Sequence, residues 1–333
     1  MALWTDLINP GDLTGFSRDE ARAFDAGAGT LSEVFPSVTT ADTTFKWFVN
    51  EQAQDVASFR AFDAESKIGG AAGLEEKVAS LAAISLKKRF GEYDQLVRSS
   101  QNSPESVQAA ADRLATEVAH GIMRRIVQAR AEALVTGKLS INDGNGEYRF
   151  VQNVDFGRRP DHTVNATTAW DSTGDPVADL ETWRAAYVDH TGQEPTVIYA
   201  SPKVMAALSR NDKMRAYLGS NAPALLDRDT INNILVGYGL PPVTVHTARV
   251  LGSAVLDEEF IVFAADGAGA TVWGLTVEAS DPRYSLADAA LPGLVVGAYA
   301  TDDPAMKWIH GNAVALPILG NPDLTLAARV LGI

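Results

Sequence analysis

Between Ser103 and Gly137 the sequence carries one uninterrupted helical signal, and its length restricts what the rest of the chain can build. Ser103 can cap the start, and Pro104 suits the first helical position because its missing N–H would go unpaired there anyway. Glu105 favours the positive end of the helix. Apolar residues then recur at Val107, Ala111, Leu114, Val118, Ile122, Ile126, Ala129 and Ala133, every third or fourth position, and Gly137 supplies a stop. The spacing predicts a helix over 104–136, a rod of roughly 50 Å at ~1.5 Å per residue. That far exceeds the usual helix of a compact domain. A rod of this length acts as a strut on which other elements are hung.

Before the strut, residues 1–42 read as an irregular arm. A capping box from Ser17 to Glu20 predicts a short helix, Arg18–Ala26, stopped by Gly27-Ala28-Gly29. Residues 43–90 read as a two-way excursion. Thr43–Asn50 alternates as a strand does, with Phe45, Trp47 and Val49 on one face. Val56–Phe62 is a second β-like run, Ile68–Gly73 a flexible tip, and Lys77–Phe90 the return. The return fits a strand through Val78, Ala82, Ile84 and Leu86, or a helix through Leu74, Val78 and Leu81. A lone ribbon of this kind is marginally stable in water, so it is expected to pack on something else.

After the strut comes a hairpin, Lys138–Ile141 and Glu147–Val151, around Asn142–Gly146. Residues 157–174 are polar loop. Asp175 and Pro176 open a helix whose apolar face is Val177, Leu180, the stem of Arg184 and Tyr187, closed by Gly192. Strand Thr196–Ala200, a helix from Ser201-Pro202, a third helix capped by Asp229, and strand Val243–Thr247 complete a small α/β unit. Beyond about residue 254 the pattern is almost all strand: Glu259–Ala264, Thr271–Ala279, Leu294–Ala300, Met306–Ala315 and Leu324–Val330. Asp266-Gly267 lies between two of these and reads as a hairpin turn; no helix follows to make a phosphate loop.

Composition narrows the function. Of 333 residues, 28 are Lys or Arg and 42 Asp or Glu, a formal charge of −14, which argues against nucleic acid or anionic membrane bound through bulk charge. The absence of cysteine excludes disulfides, thiolate metal sites and a cysteine nucleophile. The first residues lack the basic and apolar regions of a secretory signal, and no run approaches the ~20 apolar residues of a membrane span. His120, His162, His190, His246 and His310 form no HxxxH or HExxH pair, and GxSxG, SxxK and GxxxxGK[ST] do not occur. No catalytic, cofactor or metal residue is expected. Lys87-Lys88-Arg89 with Arg124, Arg125 and Arg130 are expected to face solvent or make ion pairs between subunits.

Three stretches carry a resemblance. Ala133–Phe156 holds Leu134-Val135-Thr136-Gly137-Lys138 before the hairpin, and Val154-Asp155-Phe156-Gly157 closes it. Trp170-Asp171 precedes Asp175-Pro176-Val177-Ala178-Asp179-Leu180. Asp303-Pro304-Ala305, Ala313–Pro317 and Asn321-Pro322-Asp323 follow. In this order, with arm, ribbon, strut, insertion and strand-rich return, they resemble the major capsid proteins of tailed bacteriophages with the Hong Kong 97 fold. The wording is most similar to the lambda-type capsid protein E family.

The resemblance implies an α+β, Hong Kong 97-like capsid fold. Its parts would be an N-arm (1–42), an extended E-loop (43–90) and a peripheral domain (91–169) with its spine helix (104–136). An axial α/β domain (170–255) and a strand-rich return (256–333) would complete it. It implies a non-enzymatic shell protein of the virion, assembled in the host bacterial cytoplasm into hexamers and pentamers that enclose double-stranded DNA without sequence-specific binding. Phe45, Trp47, Phe59 and Phe62 of the ribbon would then bury themselves on a neighbouring subunit. A separate scaffolding protein, a portal and a decoration protein are the implied partners, with no membrane. Relatives welded by Lys–Asn bonds draw attention to Lys46, Lys67, Lys77, Asn312 and Asn321, but no spacing joins these, and the lambda-like wording favours non-covalent shells. An encapsulin-like nanocompartment keeps the fold and changes the contents. A soluble α/β enzyme with a non-local site is the alternative of another class.

Overall fold

The strut forms over its predicted range, Pro104–Thr136, and Gly137 ends it with a φ of 67° while its N–H donates to the Ala133 carbonyl at 2.9 Å. The structure is a computed structural model that describes residues 2–3, 8–50, 74–90, 104–143, 150–219, 223–284, 286, 292–302 and 305–333. Val56–Phe62, with Phe59 and Phe62, lies outside the described residues, as do Lys67, the tip Ile68–Gly73, the cap Ser103 and residues 144–149, which take in most of the turn expected at Asn142–Gly146.

In chain order the first elements are β1 (Ala2–Leu3), α1 (Pro10–Asp25), β2 (Ser37–Thr39), β3 (Thr44–Asn50), β4 (Leu74–Ser80) and β5 (Ala82–Phe90). The strut is α2 (Pro104–Thr136), followed by β6 (Lys138–Asp143), β7 (Phe150–Asp155) and β8 (Thr163–Asn165). The inserted unit holds α3 (Pro176–Thr191), β9 (Val197–Ala200), α4 (Pro202–Arg210), α5 (Asp212–Ala216), α6 (Arg228–Gly237) and β10 (Val243–Val245). The return holds β11 (Arg249–Val250), β12 (Ser253–Ala254), β13 (Phe260–Ala264), β14 (Ala270–Gly274), β15 (Val295–Asp302), β16 (Ala305–Ile318) and β17 (Thr325–Arg329).

Two sheets organise these parts. In the first, β16 is the long central strand: β5 pairs with it from Lys307 to Ala315, while β15 and then β14 pair along overlapping residues. Because a strand has two edges, β5 must lie opposite β14 and β15. The N-terminal β1 and β2 extend this sheet at its two ends. In the second sheet the order is β10-β9-β13-β17-β8, parallel at both outer pairs and antiparallel within. The strut packs Ala111, Ala115, Val118, Ile122 and Ile126 against the first sheet and α1. Toward its C-terminus it is buried on nearly every side, at Arg130, Ala131, Ala133, Leu134 and Val135. There it enters a core shared with β13, β14 and the base of the ribbon.

Several local expectations change. The first helix begins at Pro10, where the Asn9 side chain accepts the Gly11 N–H at 2.9 Å; Ser17 lies inside it and donates to the Leu13 carbonyl at 2.7 Å. A cap followed by proline outweighs the later capping box, which here is simply helix interior. The ambiguous return is strand throughout, since its residues find partners in β3 and β16. Asp227, not Asp229, occupies the cap position of α6, and Trp183 rather than the Arg184 stem faces the core from α3. Asp266-Gly267 is no hairpin turn: β13 and β14 belong to different sheets, and the turn carries the chain from one to the other. The strand expected to reach Ala279 ends at Gly274, where any Cβ would stand 2.7 Å from Leu81 Cδ1.

Candidate functional site: an assembly surface

β3 and β4 form a two-stranded ribbon in register from Thr44 opposite Ser80 to Asn50 opposite Leu74. Alternation places Phe45, Trp47 and Ala79 on one face and Lys46, Phe48, Glu76 and Val78 on the other. The first face is turned into this chain's own core. Trp47 is 6% exposed and meets Phe156 at 6.0 Å between ring centroids, and Phe45 packs on the same cluster. The two described aromatics expected to seek a neighbour therefore spend most of their apolar surface at home. The outward face keeps Phe48 at 56% and Val78 at 53% exposure, with Lys46 and Glu76 paired at 2.8 Å beside them. Across the single residue Leu81 the ribbon passes into β5, which pairs along β16 in the first sheet, so this face stands on a base anchored in that sheet.

Of the basic residues expected to face solvent or pair between subunits, Lys87, Arg89 and Arg124 are exposed, while Arg130 departs from both expectations by pairing inside its own chain. Arg130 is 0% exposed. Its Nη1 donates to Asp25 Oδ1 at 2.5 Å and to the Thr30 carbonyl at 2.8 Å, and its Nε donates to Thr271 Oγ1 at 2.8 Å. A buried guanidinium is tolerable only when its donors and charge are answered in this way. It ties the strut to the end of α1 and to β14. Lys88 pairs with Glu117 at 3.3 Å, and Lys87 lies 4.9 Å from the Trp308 ring centroid.

Apolar groups are exposed elsewhere among the described residues as well. In the inserted unit, Tyr217 and Tyr238 meet edge to face at 5.3 Å, and Leu218, Leu225 and Val236 of the same segment are exposed. Between β11 and β12, Leu251 and Gly252 make a two-residue turn with φ of 51° and 85°. Leu251 is 99% exposed there. A leucine held in the left-handed region costs about 1 kcal/mol or more that asparagine or glycine would largely avoid.

The histidines supply what sequence spacing did not show. His162 and His190, 28 positions apart, meet with His162 Nε2 3.3 Å from His190 Nδ1, and Asp161 Oδ2 lies 3.3 Å from His190 Nε2. Ligand atoms of the three residues lie within 4.8 Å of one another. His162 is fully buried, which pushes its pKa below the ordinary 6.5. His246 is likewise lowered by burial; its Nε2 donates to the Gly29 carbonyl at 2.8 Å.

A helical strut braced on a mixed sheet, a ribbon projecting from that sheet and an inserted α/β unit make up the Hong Kong 97 class of fold, and comparison with solved structures agrees. A protein assigned as the capsid protein of a prophage in E. coli CFT073 superposes with a TM-score of 0.63 at 15% identity, over 97% of this chain and 99% of that one. A phage-related protein from Bordetella bronchiseptica RB50 gives 0.61 at 16% identity, over 96% of each chain. The capsid of Myoviridae phage XM1 gives 0.51 at 13%, over 92% of each. No curated protein matches the sequence. The sequence model of the family phage major capsid protein E matches residues 31–330, and the chain belongs to that family. It is a shell-forming structural protein of a phage capsid, and its place is the virion.

Proposed function

We propose that this chain builds, as hexamers and pentamers of itself, the icosahedral head shell around the double-stranded DNA of a tailed bacteriophage. Residues 1–42 serve as the N-arm, 43–90 as the E-loop laid over a neighbouring subunit, and 91–169 as the peripheral domain. Residues 170–255 form the axial domain, and 256–333 complete both domains. The observation that carries the reading is the ribbon: its inner face is committed to its own subunit, while Phe48 and Val78 stand exposed on a base fixed by β5. An apolar face held outward on an anchored mount suits a repeated contact between identical copies. The neighbour contact thus passes to Phe48 and Val78, together with Phe59 and Phe62 further along the sequence, while Trp47 and Phe45 hold the ribbon to its base. The exposed cluster around Tyr217 and Tyr238 is the axial contact in this reading.

The charge of −14 supports an inner wall that holds DNA without adhering to it. Scaffolding, portal and decoration proteins are the partners such a shell takes, and assembly belongs in a host cytoplasm. The virus-like particle from Pyrococcus furiosus shares the fold with a TM-score of 0.52 at 9% identity, so fold alone does not choose the contents. The family match favours a genome. Replacing Phe48 and Val78 together by Ser tests the reading: subunits that keep their far-ultraviolet circular dichroism but no longer close into shells in electron micrographs are expected. Unchanged shells would sink the ribbon contact.

A further inference from the structure

We propose that Asp161, His162 and His190 form a binding site for one divalent transition-metal ion of the zinc class. His162 Nε2 and His190 Nδ1 are its ligands, and Asp161 is the carboxylate that orients His190. The inference does not depend on the shell reading.

Hydrogen-bond accounting leads to it. His162 Nδ1 lies 3.2 Å from the Thr325 carbonyl, which can only accept, so the ring proton sits on Nδ1 and Nε2 presents a lone pair. His190 Nε2 faces the Asp161 carboxylate at 3.3 Å, another acceptor, so its proton sits on Nε2 and its Nδ1 presents a lone pair. The two lone pairs face each other across 3.3 Å. In these tautomers a cation reconciles them, one more proton or a metal ion; the neutral alternative, with the His190 proton on Nδ1 and donated to His162 Nε2, would turn a bare Nε2 lone pair toward the Asp161 carboxylate.

The geometry favours the metal. A gap of 3.3 Å is longer than the ~2.7–3.2 Å of a good N–H hydrogen bond. With zinc–imidazole bonds of ~2.1 Å, two nitrogens at 3.3 Å subtend about 104° at the ion, near the tetrahedral angle. His162 Nδ1 already faces the Thr325 carbonyl and His190 Nε2 the Asp161 carboxylate, acceptors placed as they are behind metal-binding histidines, where they fix tautomer and ring direction. His190 lies in the last turn of α3, where the helix end favours positive charge. The side chains of His190 and Asp161 are partly exposed, which gives an ion a way in, and water can complete the coordination. The ion would staple the end of α3 to the segment 160–162 and to the start of β17. No motif marks the site because its halves come from a loop and a helix that only folding brings together.

Isothermal titration of the full-length protein with Zn²⁺ is expected to show saturable binding of one ion per subunit and a higher melting temperature, with no competition from excess Mg²⁺. His190→Gln, at a partly exposed position that should not disturb folding, is expected to weaken zinc at least about 100-fold. Asp161→Asn should weaken it about tenfold. His120→Gln, whose ring pairs with Glu20 elsewhere, should leave binding unchanged. No saturable zinc binding by the wild type, leaving a shared proton as the link, would overturn the proposal. So would an unchanged affinity in His190→Gln.

Discussion

Arg130 and Asp25 show how a charge can be locked inside this chain. The guanidinium is fully buried and spends its donors on Asp25 and Thr30 near the end of α1 and on Thr271 in β14. Asp25→Ala leaves that charge uncompensated and is expected to cost about 3–5 kcal/mol in urea denaturation. Replacing both by apolar residues of similar size, Asp25→Leu with Arg130→Met, should cost less than Asp25→Ala alone. Leu251 makes the opposite trade. Leu251→Asn relieves its positive φ and should raise subunit stability by about 1 kcal/mol, while lowering the yield of shells if the side chain docks on a neighbour. His246 and His310 set a pH dependence. Burial holds both below the ordinary 6.5, and His246 Nδ1 is buried with no partner among the described residues. Between the lowered folded value and 6.5 the unfolded chain binds more protons, so stability is full above about pH 6.5 and falls on acidification below it. Melting temperatures between pH 7.5 and 5 should show that fall, and His246→Gln should flatten it.

Among the elements, α2 and β5 meet at Gly121, where a Cβ would stand 2.4 Å from Leu86 Cδ2. Gly121→Val should act as a wedge between strut and sheet and cost about 1–3 kcal/mol, with Leu86→Ala in the same chain returning part of it; chemical denaturation of the two variants checks both. The strut itself was legible because cap, period and stop agreed along its whole length. The ribbon's outgoing strand was legible through its alternation, which put Phe45 and Trp47 on one face but assigned that face to a neighbouring subunit. What that face packs against was not, since Phe156 lies more than a hundred residues away. Arg130 did leave a trace: it follows Ile126 by four positions, on the apolar stripe, and a charge placed there needs a partner. The sheet order left none. β13 and β14 look like a hairpin in sequence, and pairing with β17 and β16 decides otherwise. The contact of His162 with His190 is equally non-local. Local propensity speaks for elements, and side-chain chemistry at a distance is settled by packing.

At the scale of the molecule, the acidic balance, the anchored ribbon and the family match converge on one role. The two sheets and the strut hold each subunit's own core, and apolar groups left outside, among them Phe48, Val78, Leu251 and the Tyr217–Tyr238 cluster, are spread over separate places. Such a distribution suits a tile that touches several copies of itself through modest contacts that become strong when the shell closes. Cryo-electron microscopy of the chain expressed in bacteria, alone and with a scaffolding protein, tests this most directly. Closed icosahedral shells of hexamers and pentamers, with the outer face of each ribbon covered by a neighbouring subunit, are predicted. Small discrete oligomers under both conditions, or shells in which Phe48 and Val78 remain open to solvent, would contradict it.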